Sequence, residues 1–430
     1  MIQHDTSDEA HGMHVLVIGG GAAGLIAAGR AAKLGAQVVL LEKMRQVGRK
    51  LSITGKGRCN LTNSARLEDF IAAYGPQGQF LRQAFMAFFN SDLVAFIRSL
   101  GVDLELERGG RYFPADNRAP DITRALYQWV LDAGVEVYLG SEVRDFIIEN
   151  DRVIGVRHGR LKKKLVADAV ILATGGLSYP DTGSTGDGYR LAEEAGHSIV
   201  PTKPALVPLT TSGEVAQSLQ GLSLRNVGVR LMVDDKGQDS ILGEMLFTHY
   251  GVSGPIVLQL SHRVISFLEE NRKVEISIDL KPALDEKSLE ARLLRDFKEH
   301  STKQLHTILK GLLPASLISV CLHLLELPTD VTGSQITTAE RRRLRAWLKD
   351  FRLSVTGHRS YAEAIVTAGG VALKEVNPRS MESLIRPGLY FAGEVLDIDG
   401  PTGGYNLQAA FSTGWLAGTA AAGAAENPPE

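Results

Sequence analysis

The stretch "MHVLVIGGGAAGLIAAGRAAKLGAQVVLLEK", residues 13–43, decides the fold. His14 to Ile18 is a short apolar run. Gly19, Gly21 and Gly24 follow, then an alanine-rich, helix-prone segment from Ala22 to Leu34, a stop at Gly35 and a second apolar run from Gln37 to Leu41. The order strand, glycine turn, helix, strand predicts a βαβ unit. In such a unit Gly19 permits the tight turn, Gly21 lets the backbone approach a pyrophosphate at the helix N-terminus, and Gly24 lets helix and strand pack closely. Glu42 lies eighteen residues after Gly24. Its carboxylate can accept hydrogen bonds from a ribose 2′-hydroxyl, and its charge repels a 2′-phosphate. Together these residues predict a dinucleotide-binding α/β domain.

The remainder of the 430 residues exceeds what one compact core holds, so two or three domains are expected. A net charge of −2 gives no global attraction to nucleic acid or anionic lipid, although it leaves room for a local basic patch. Two distant cysteines, Cys59 and Cys321, make no disulfide framework and fit a reducing, cytoplasmic setting. Residues 1–12 are polar and acidic, unlike a signal peptide, and read as a disordered leader. Residues 400–425 carry no charge but are rich in Gly, Thr, Ser, Asn and Gln, which favours a helix buried in protein over a membrane span.

Further along, "DAVILATGG" (168–176) is another buried strand ending in glycines, and "GDGYRLAEEAGH" (186–197) reads as a short helix with Asp187 as its cap. From residue 200 the pattern alternates, as in "KVEISIDLKP", and predicts antiparallel β-structure. Helical patterns dominate from about 285 to 351, where Thr337 and Glu340 form a capping box before an apolar stripe of Leu344, Trp347, Leu348 and Phe351. Strand patterns then return and lead into "GLYFAGEVLD" (388–397). The expected organisation is a Rossmann-like nucleotide-binding domain built from 13–199 and 352–430, interrupted by a β-rich subdomain (200–284) and a helical subdomain (285–351).

No second glycine fingerprint exists to mark a separate NAD(P) domain. Instead the C-terminal stretch supplies a strand, the Gly393–Glu394 turn, then Gly403, Gly404 and a helix beginning near Tyr405. A helix N-terminus presented to a flavin stabilises negative charge at its N1/O2 edge. One dinucleotide touched by both chain ends is FAD, in a domain of the glutathione reductase type.

The motifs "VLVIGGGAAGLIAA", "GRKLSITGKGRCNLTN", "ILATGGLSYPDTGSTGDGYRLAEEAGH", "LFTHYGVSGPIVLQLS" and "GPTGGYNLQAAFSTGWLAG" together resemble the BaiN/RdsA family of bacterial flavoproteins, the YhiN-like proteins. The first motif is shared by many FAD proteins and the third is similar to the fumarate reductase group, whereas the GKGRCN and LFTHYGVSGP stretches are far more particular. The resemblance implies an FAD oxidoreductase that reduces an activated C=C bond by hydride transfer from the flavin, with the protein supplying orientation and a proton. It implies two substrate classes, uridine in large-subunit ribosomal RNA and unsaturated 3-oxo bile acids. NADH or NADPH can act as a transient electron donor without a fingerprint of its own.

Cofactor contacts are expected at Gly19, Gly21, Ala22, Ala23, Gly24, Glu42 and Lys43; at Arg49, Lys50, Gly57, Arg58, Cys59 and Asn60; and at Val143, Ala173, Thr174 and Gly175. The C-terminal contacts are expected at Gly393, Glu394, Gly403, Gly404, Tyr405, Asn406 and Leu407. Within "ITGKGRCNLTN", Gly55 and Gly57 allow backbone amides near the flavin ring, Arg58 is available to an oxyanion, and Asn60 to ring or substrate geometry. Cys59 is either a proton donor or a small buried residue beneath the flavin; no nearby second cysteine supports disulfide exchange. His249 and Tyr250 are further candidates for proton transfer, the alternative for His249 being a loop histidine bonded to backbone. The run "ERRRLRAWLKD" either meets RNA phosphates through Arg341, Arg342 and Arg345 or is a solvated helix face. No metal site and no membrane association are expected, and the sequence assigns no oligomeric state. A flavin-containing RNA-binding or assembly factor without turnover is the rival from another class.

Overall fold

The computed structural model describes residues 12–159 and 162–423, so the expected leader falls almost wholly outside the described residues. The chain divides into two compact units, one of residues 1–204 with 365–430, the other of residues 205–364.

The first unit is organised by a five-stranded parallel sheet. Strand β1 (His14–Ile18) is flanked by β2 (Gln37–Glu42) and by the strand Ala169–Leu172, and Glu136–Leu139 and Leu389–Phe391 form the edges. Ala169–Leu172 is buried at every position, as a sheet covered on both faces requires. Helix α1 (Ala22–Lys33) connects β1 to β2, as the glycine pattern predicts.

The charge-free C-terminal stretch forms the helix Tyr405–Ala421, which packs along α1. Its composition has a steric cause. A Cβ on Gly414 would stand 2.4 Å from the Ala23 carbonyl oxygen, and a Cβ on Gly418 2.4 Å from that of Ala27. Small residues four apart on both helices therefore bring the two backbones into contact. Among the described residues no single helix is long and apolar enough to cross a membrane. The bent pair Gly75–Ala87 and Asn90–Ser99 passes by length and composition together, and its Leu81, Phe85, Leu93 and Ile97 are core residues.

The second unit is a closed antiparallel barrel in the order Leu209–Thr211, Gly251–Ser253, Lys236–Thr248, Ser223–Val233, Val274–Asp279, Phe351–His358. Phe351–His358 pairs with Val274–Asp279 on one side and Leu209–Thr211 on the other. This corrects the expected return to the nucleotide-binding domain at 352: without that strand the barrel would stay open, and the return comes at Ile365. The first boundary also moves, because Ile199–Ala205 pairs with Val366–Val371 of the first unit. The capping box at Thr337 forms, with the Glu340 amide donating to Thr337 Oγ1 (3.2 Å) and the Thr337 amide donating to Glu340 Oε2 (2.8 Å).

The helix contact yields a stability prediction. Alanine is the better helix former by about 1 kcal/mol, yet Gly418→Ala is expected to destabilise the first unit by about 1–3 kcal/mol through overpacking against Ala27. Thermal or urea unfolding measures it, and a stabilised variant would refute the close contact.

Candidate dinucleotide cleft

The turn between β1 and α1 is closed by atoms that leave no room for side chains. Gly19 has φ of 102°, and a Cβ on Gly24 would lie 1.8 Å from the Gly19 carbonyl oxygen. Gly21 is different: a Cβ there would meet nothing within 4 Å. Gly21 faces open space, which is the condition for a ligand backbone to approach it. Its neighbours open helix α1, whose first amides have no partner within the helix.

That space is a cleft of about 1090 Å³, open to solvent and lined from both ends of the chain. The glycine turn and the start of α1 (Gly19, Gly21, Ala22, Ala23) form one wall, and Ala173, Thr174 and Gly175 continue it. Glu42 stands at one end. Its carboxylate accepts the Gly20 amide at Oε2 and the Met44 amide at Oε1, both at 2.7 Å, which fixes it while leaving lone pairs for a ribose hydroxyl. A smaller adjoining hollow of about 430 Å³ is lined by Glu42, Lys43, Val143 and Asp187. Asp187 is the first residue of the helix Asp187–Glu194 and not its cap, a place taken by Gly186 in the left-handed conformation; the Asp187 carboxylate pairs with Lys43.

Helix α2 (Arg49–Ile53) contributes Arg49 and Lys50 to the cleft. Lys50 Nζ donates to Glu394 Oε2 and to Ser178 Oγ, both at 2.6 Å. Glu394 Oε1 in turn accepts from Ser178 Oγ (2.9 Å) and from the Thr367 amide (2.8 Å). This network joins the 49–53 segment to the Gly393–Glu394 turn across 344 residues of sequence. Among the described residues no carboxylate pairs with Arg49. Residues 43–66 hold seven Lys and Arg and no Asp or Glu, and of these Arg49 and Lys50 line the cleft with Glu42 and Glu394. Asn406 lines the cleft and ties the loop before the last helix, accepting the Gly400 amide and donating to the Gly400 carbonyl, both at 2.8 Å. Gly393, Glu394 and Leu407 complete the far end.

A glycine cradle at a helix N-terminus, an unpaired arginine, a fixed carboxylate at one end and contacts from both chain termini together fit FAD in an extended conformation. Sequence reasoning missed Gln46, Thr54, Thr182, Ser184, Val366 and Ile398, which also line the cleft. Thr54, Thr182 and Ser184 lie within the quoted motifs beside their glycines, whereas Gln46, Val366 and Ile398 lie outside them and reach the cleft only through tertiary placement.

The GKGRCN stretch departs from expectation. Gly55, Lys56, Gly57 and Cys59 all have positive φ, and the tight turn carries Cys59 away from solvent. The Cys59 thiol is fully buried, and burial pushes its pKa up to about 12. It does not line the cleft, so the geometry opposes the proton-donor role and agrees with a small buried residue. The Arg58 guanidinium bonds to Glu107 and Asn117 and lies 4.2 Å over the Phe113 ring, so its charge is already matched and it is not available to an oxyanion as expected. Gly57 does not line the cleft either; its carbonyl accepts the Ala119 amide at 2.8 Å.

Asn60, with its amide oxygen turned toward the last helix, accepts the Gly404 amide at 3.1 Å. Its place is at the helix start, outside the cleft wall. Gly404 has φ of 98°, and a Cβ on it would stand 2.4 Å from the Thr62 carbonyl carbon. Gly404 therefore serves close packing, Gly403 supplies a positive φ of 116°, and Tyr405 joins Phe70 and Tyr74 in an aromatic cluster. Gly24 is likewise a packing residue.

Within the second unit, the Tyr250 hydroxyl donates to Glu363 Oε2 at 3.1 Å. Arg359 bonds to Glu363 Oε1 at 2.6 Å and lies 4.4 Å over the Tyr250 ring, and the His249 ring stands edge-on to Tyr250. Burial, then the bond to Glu363, raises the Tyr250 pKa above the usual phenol value. The hydroxyl is therefore protonated throughout the neutral range. Of the predicted RNA-facing arginines, Arg341 is only 15% exposed and bonds to Glu290 at 2.7 Å, and Arg345 pairs with Glu290 and Glu286. Arg342 alone of the three is exposed and without an acidic partner.

The fold and cleft define a Rossmann-type dinucleotide-binding protein with an inserted antiparallel unit, the arrangement of the flavin-dependent fumarate reductases and ketosteroid dehydrogenases. Among solved structures, the 3-ketosteroid-Δ4-(5α)-dehydrogenase of Rhodococcus jostii RHA1 matches 98% of this chain and 99% of its own with a TM-score of 0.51; at 15% identity the likeness is one of fold. The family model described as the HI0933-like protein Rossmann domain matches residues 13–420. The 3-dehydro-bile acid delta(4,6)-reductase of Clostridium scindens is 33% identical over 412 residues, 94% of this chain and 98% of the relative. The ribosomal RNA dihydrouridine synthase of Escherichia coli is 32% identical over 400 residues, 93% and 96% of the two chains. The chain belongs to the HI0933-like family, the YhiN/BaiN group of FAD-dependent flavoproteins.

Two outcomes are expected. Gly21→Val leaves the folded state intact, because its side chain enters open space, yet lowers FAD affinity at least about tenfold, since it occupies the pyrophosphate approach; flavin fluorescence on dilution measures this, and undiminished binding would remove the cleft assignment. A pKa raised to about 12 keeps the Cys59 thiol protonated through mildly alkaline pH. Iodoacetamide is therefore expected to label it only after unfolding, and Cys59→Ala to retain bound flavin.

Proposed function

We propose that this chain is an FAD-dependent reductase that adds hydrogen across an activated carbon–carbon double bond, and that its substrate is uridine in large-subunit ribosomal RNA. The observation that carries the reading is the cleft itself, glycine-walled, built from both chain ends and holding Arg49 without a carboxylate partner among the described residues. Two relatives matched over more than nine-tenths of their lengths carry names that describe saturation of a ring double bond.

In this reading the amides at the start of α1 and the Arg49 guanidinium hold the diphosphate, and Glu42 holds the adenosine ribose. The Lys50–Glu394–Ser178 network fixes the wall beyond. Reduced FAD, when bound, supplies hydride to the electron-poor carbon of the substrate. NADH or NADPH is the proposed electron donor, and a ribosomal substrate makes the protein cytoplasmic. Tyr250 is assigned the proton for the neighbouring carbon, because its hydroxyl is protonated and held by Glu363. RNA is favoured over a small molecule because two relatives, from Escherichia coli and Haemophilus influenzae, are named ribosomal RNA dihydrouridine synthase. The second reading, a reductase of unsaturated 3-oxo steroids, is supported by the Clostridium scindens relative, equally similar in sequence.

The test is mass-spectrometric mapping of dihydrouridine in large-subunit ribosomal RNA with and without the gene. One dihydrouridine is expected to vanish on deletion and to return with the wild-type gene but not with Gly21→Val. Unchanged RNA would reject the RNA substrate and direct the search to conjugated oxo-steroids against the anaerobically reduced protein. Tyr250→Phe is expected to keep its flavin and lose about 10²–10⁴-fold in turnover. Because the Tyr250 pKa is raised, wild-type turnover should not fall on the alkaline side until the pH exceeds the usual phenol range. A Tyr250→Phe variant of normal rate would remove the tyrosine from the mechanism.

A further inference from the structure

Charge is unevenly divided along the chain. Residues 286–349 hold 11 Lys and Arg against 7 Asp and Glu, leaving 36 against 42 elsewhere in a chain of 47 and 49. The structure shows where the carboxylates of this segment are spent. Helix Glu286–Glu299 lies beside helix Thr338–Lys349, and Arg341 and Arg345 cross the seam to Glu290 and Glu286. Asp296 is taken by Arg292 at 3.5 Å, with Arg295 at 3.9 Å.

The outward face of the first helix is then Lys287, Ala291, Leu294, Arg295 and Lys298, all exposed, a stripe at helical spacing that contains no carboxylate. Glu286 and Glu299 flank it. Arg342 borders the seam on the second helix with Arg343 beyond, both exposed. On the other side Arg292 Nη2 donates to the Gly311 carbonyl at 3.1 Å, which brings the exposed Lys310 alongside. Pairing across the seam engages Glu290 and Glu286, while Lys287, Arg295, Lys298, Arg342 and Arg343 stay outward, with Glu286 and Glu299 at the ends of the stripe.

We propose that this surface of the helical segment binds the phosphate backbone of RNA. The proposal rests on the ribosomal RNA reading and names the part of the chain that holds that substrate. Phosphate contacts position a nucleic acid without reading its sequence, and exposed Lys and Arg on adjacent helices supply them. An anionic membrane is the lesser fit, because the exposed stripe carries one leucine and no aromatic anchor.

The experiment uses the full-length flavin-loaded protein, protein-free large-subunit ribosomal RNA as the probe, and the variant K287Q/R295Q/K298Q/R342Q. An equal number of exposed lysines elsewhere, K33Q/K163Q/K164Q/K236Q, is the control. Each lost phosphate contact lowers the slope of log affinity against log salt by about 0.7–0.9, so the fourfold surface variant is expected to lose about 3 from that slope and the control about none. Flavin content and the far-ultraviolet circular dichroism of both should match wild type, which separates lost binding from lost fold. Wild-type binding that the surface variant retains in full, or that the control loses equally, overturns the surface alone. Absence of wild-type binding overturns the surface together with the RNA substrate and leaves small-molecule reduction standing. Loss of binding to phosphatidylglycerol vesicles with RNA binding intact assigns the face to membrane and also overturns the proposal.

Discussion

Helix α1 is approached by backbone on two sides, and the first unit depends on that constraint. At its start Gly24 lies against the Gly19 carbonyl, and along its length Ala23 and Ala27 meet Gly414 and Gly418 of the last helix. Neither contact tolerates a side-chain atom. The first holds the helix N-terminus against the end of β1, where its amides face the cleft, and the second brings the C-terminal segment to the same place. A cleft made from residues as far apart in sequence as Glu42 and Asn406 exists because these backbones touch.

That constraint also explains how much the sequence disclosed. The βαβ unit was legible because glycine spacing, apolar runs and an acidic strand end all act within about 30 residues. The charge-free C-terminal helix was legible as buried, but not as a partner of α1, since which helix faces its glycines is a tertiary fact. Fourteen of the expected cofactor residues line the main cleft, and Lys43 and Val143 line the adjoining hollow. The misreadings share a cause. Arg58 looks available until Glu107, 49 residues away, is placed beside it, and the choice left open for Cys59 rests on the turn that buries it. Strand Phe351–His358 alternates like any half-buried strand, so its membership of the barrel became visible only through its pairing.

Net charge hid a second division. A total of −2 conceals two positive segments, one at the cleft and one on the helices of the second unit. They are treated differently. Lys43, Lys50 and Arg58 each meet a carboxylate supplied by another part of the chain and Arg66 meets the nearby Asp69, which leaves Arg45, Arg49 and Lys56 without one among the described residues. A diphosphate carries charge of the sign and scale that such an excess accommodates. On the helices the pairing is internal to the segment, with Glu290 engaged at the seam and Asp296 by Arg292, so the positive excess spreads over a face and not into a pocket.

The same logic narrows the source of the proton. A donor to carbon must hold its proton at neutral pH and must not be so deeply desolvated that its conjugate base is prohibitively costly. Cys59 meets the first condition and fails the second, since its burial is complete and no positive group compensates the thiolate. Tyr250 meets both: it is half-buried, its hydroxyl is held by Glu363, and the Arg359 guanidinium over its ring opposes the rise in pKa and steadies negative charge once the proton leaves. Under that proposal Arg359 is a positioning residue, because its bond to Glu363 holds the carboxylate that accepts from the phenol. In the proposed reaction the acid belongs to a cluster in the inserted unit, far in sequence from the glycine motifs of the cleft.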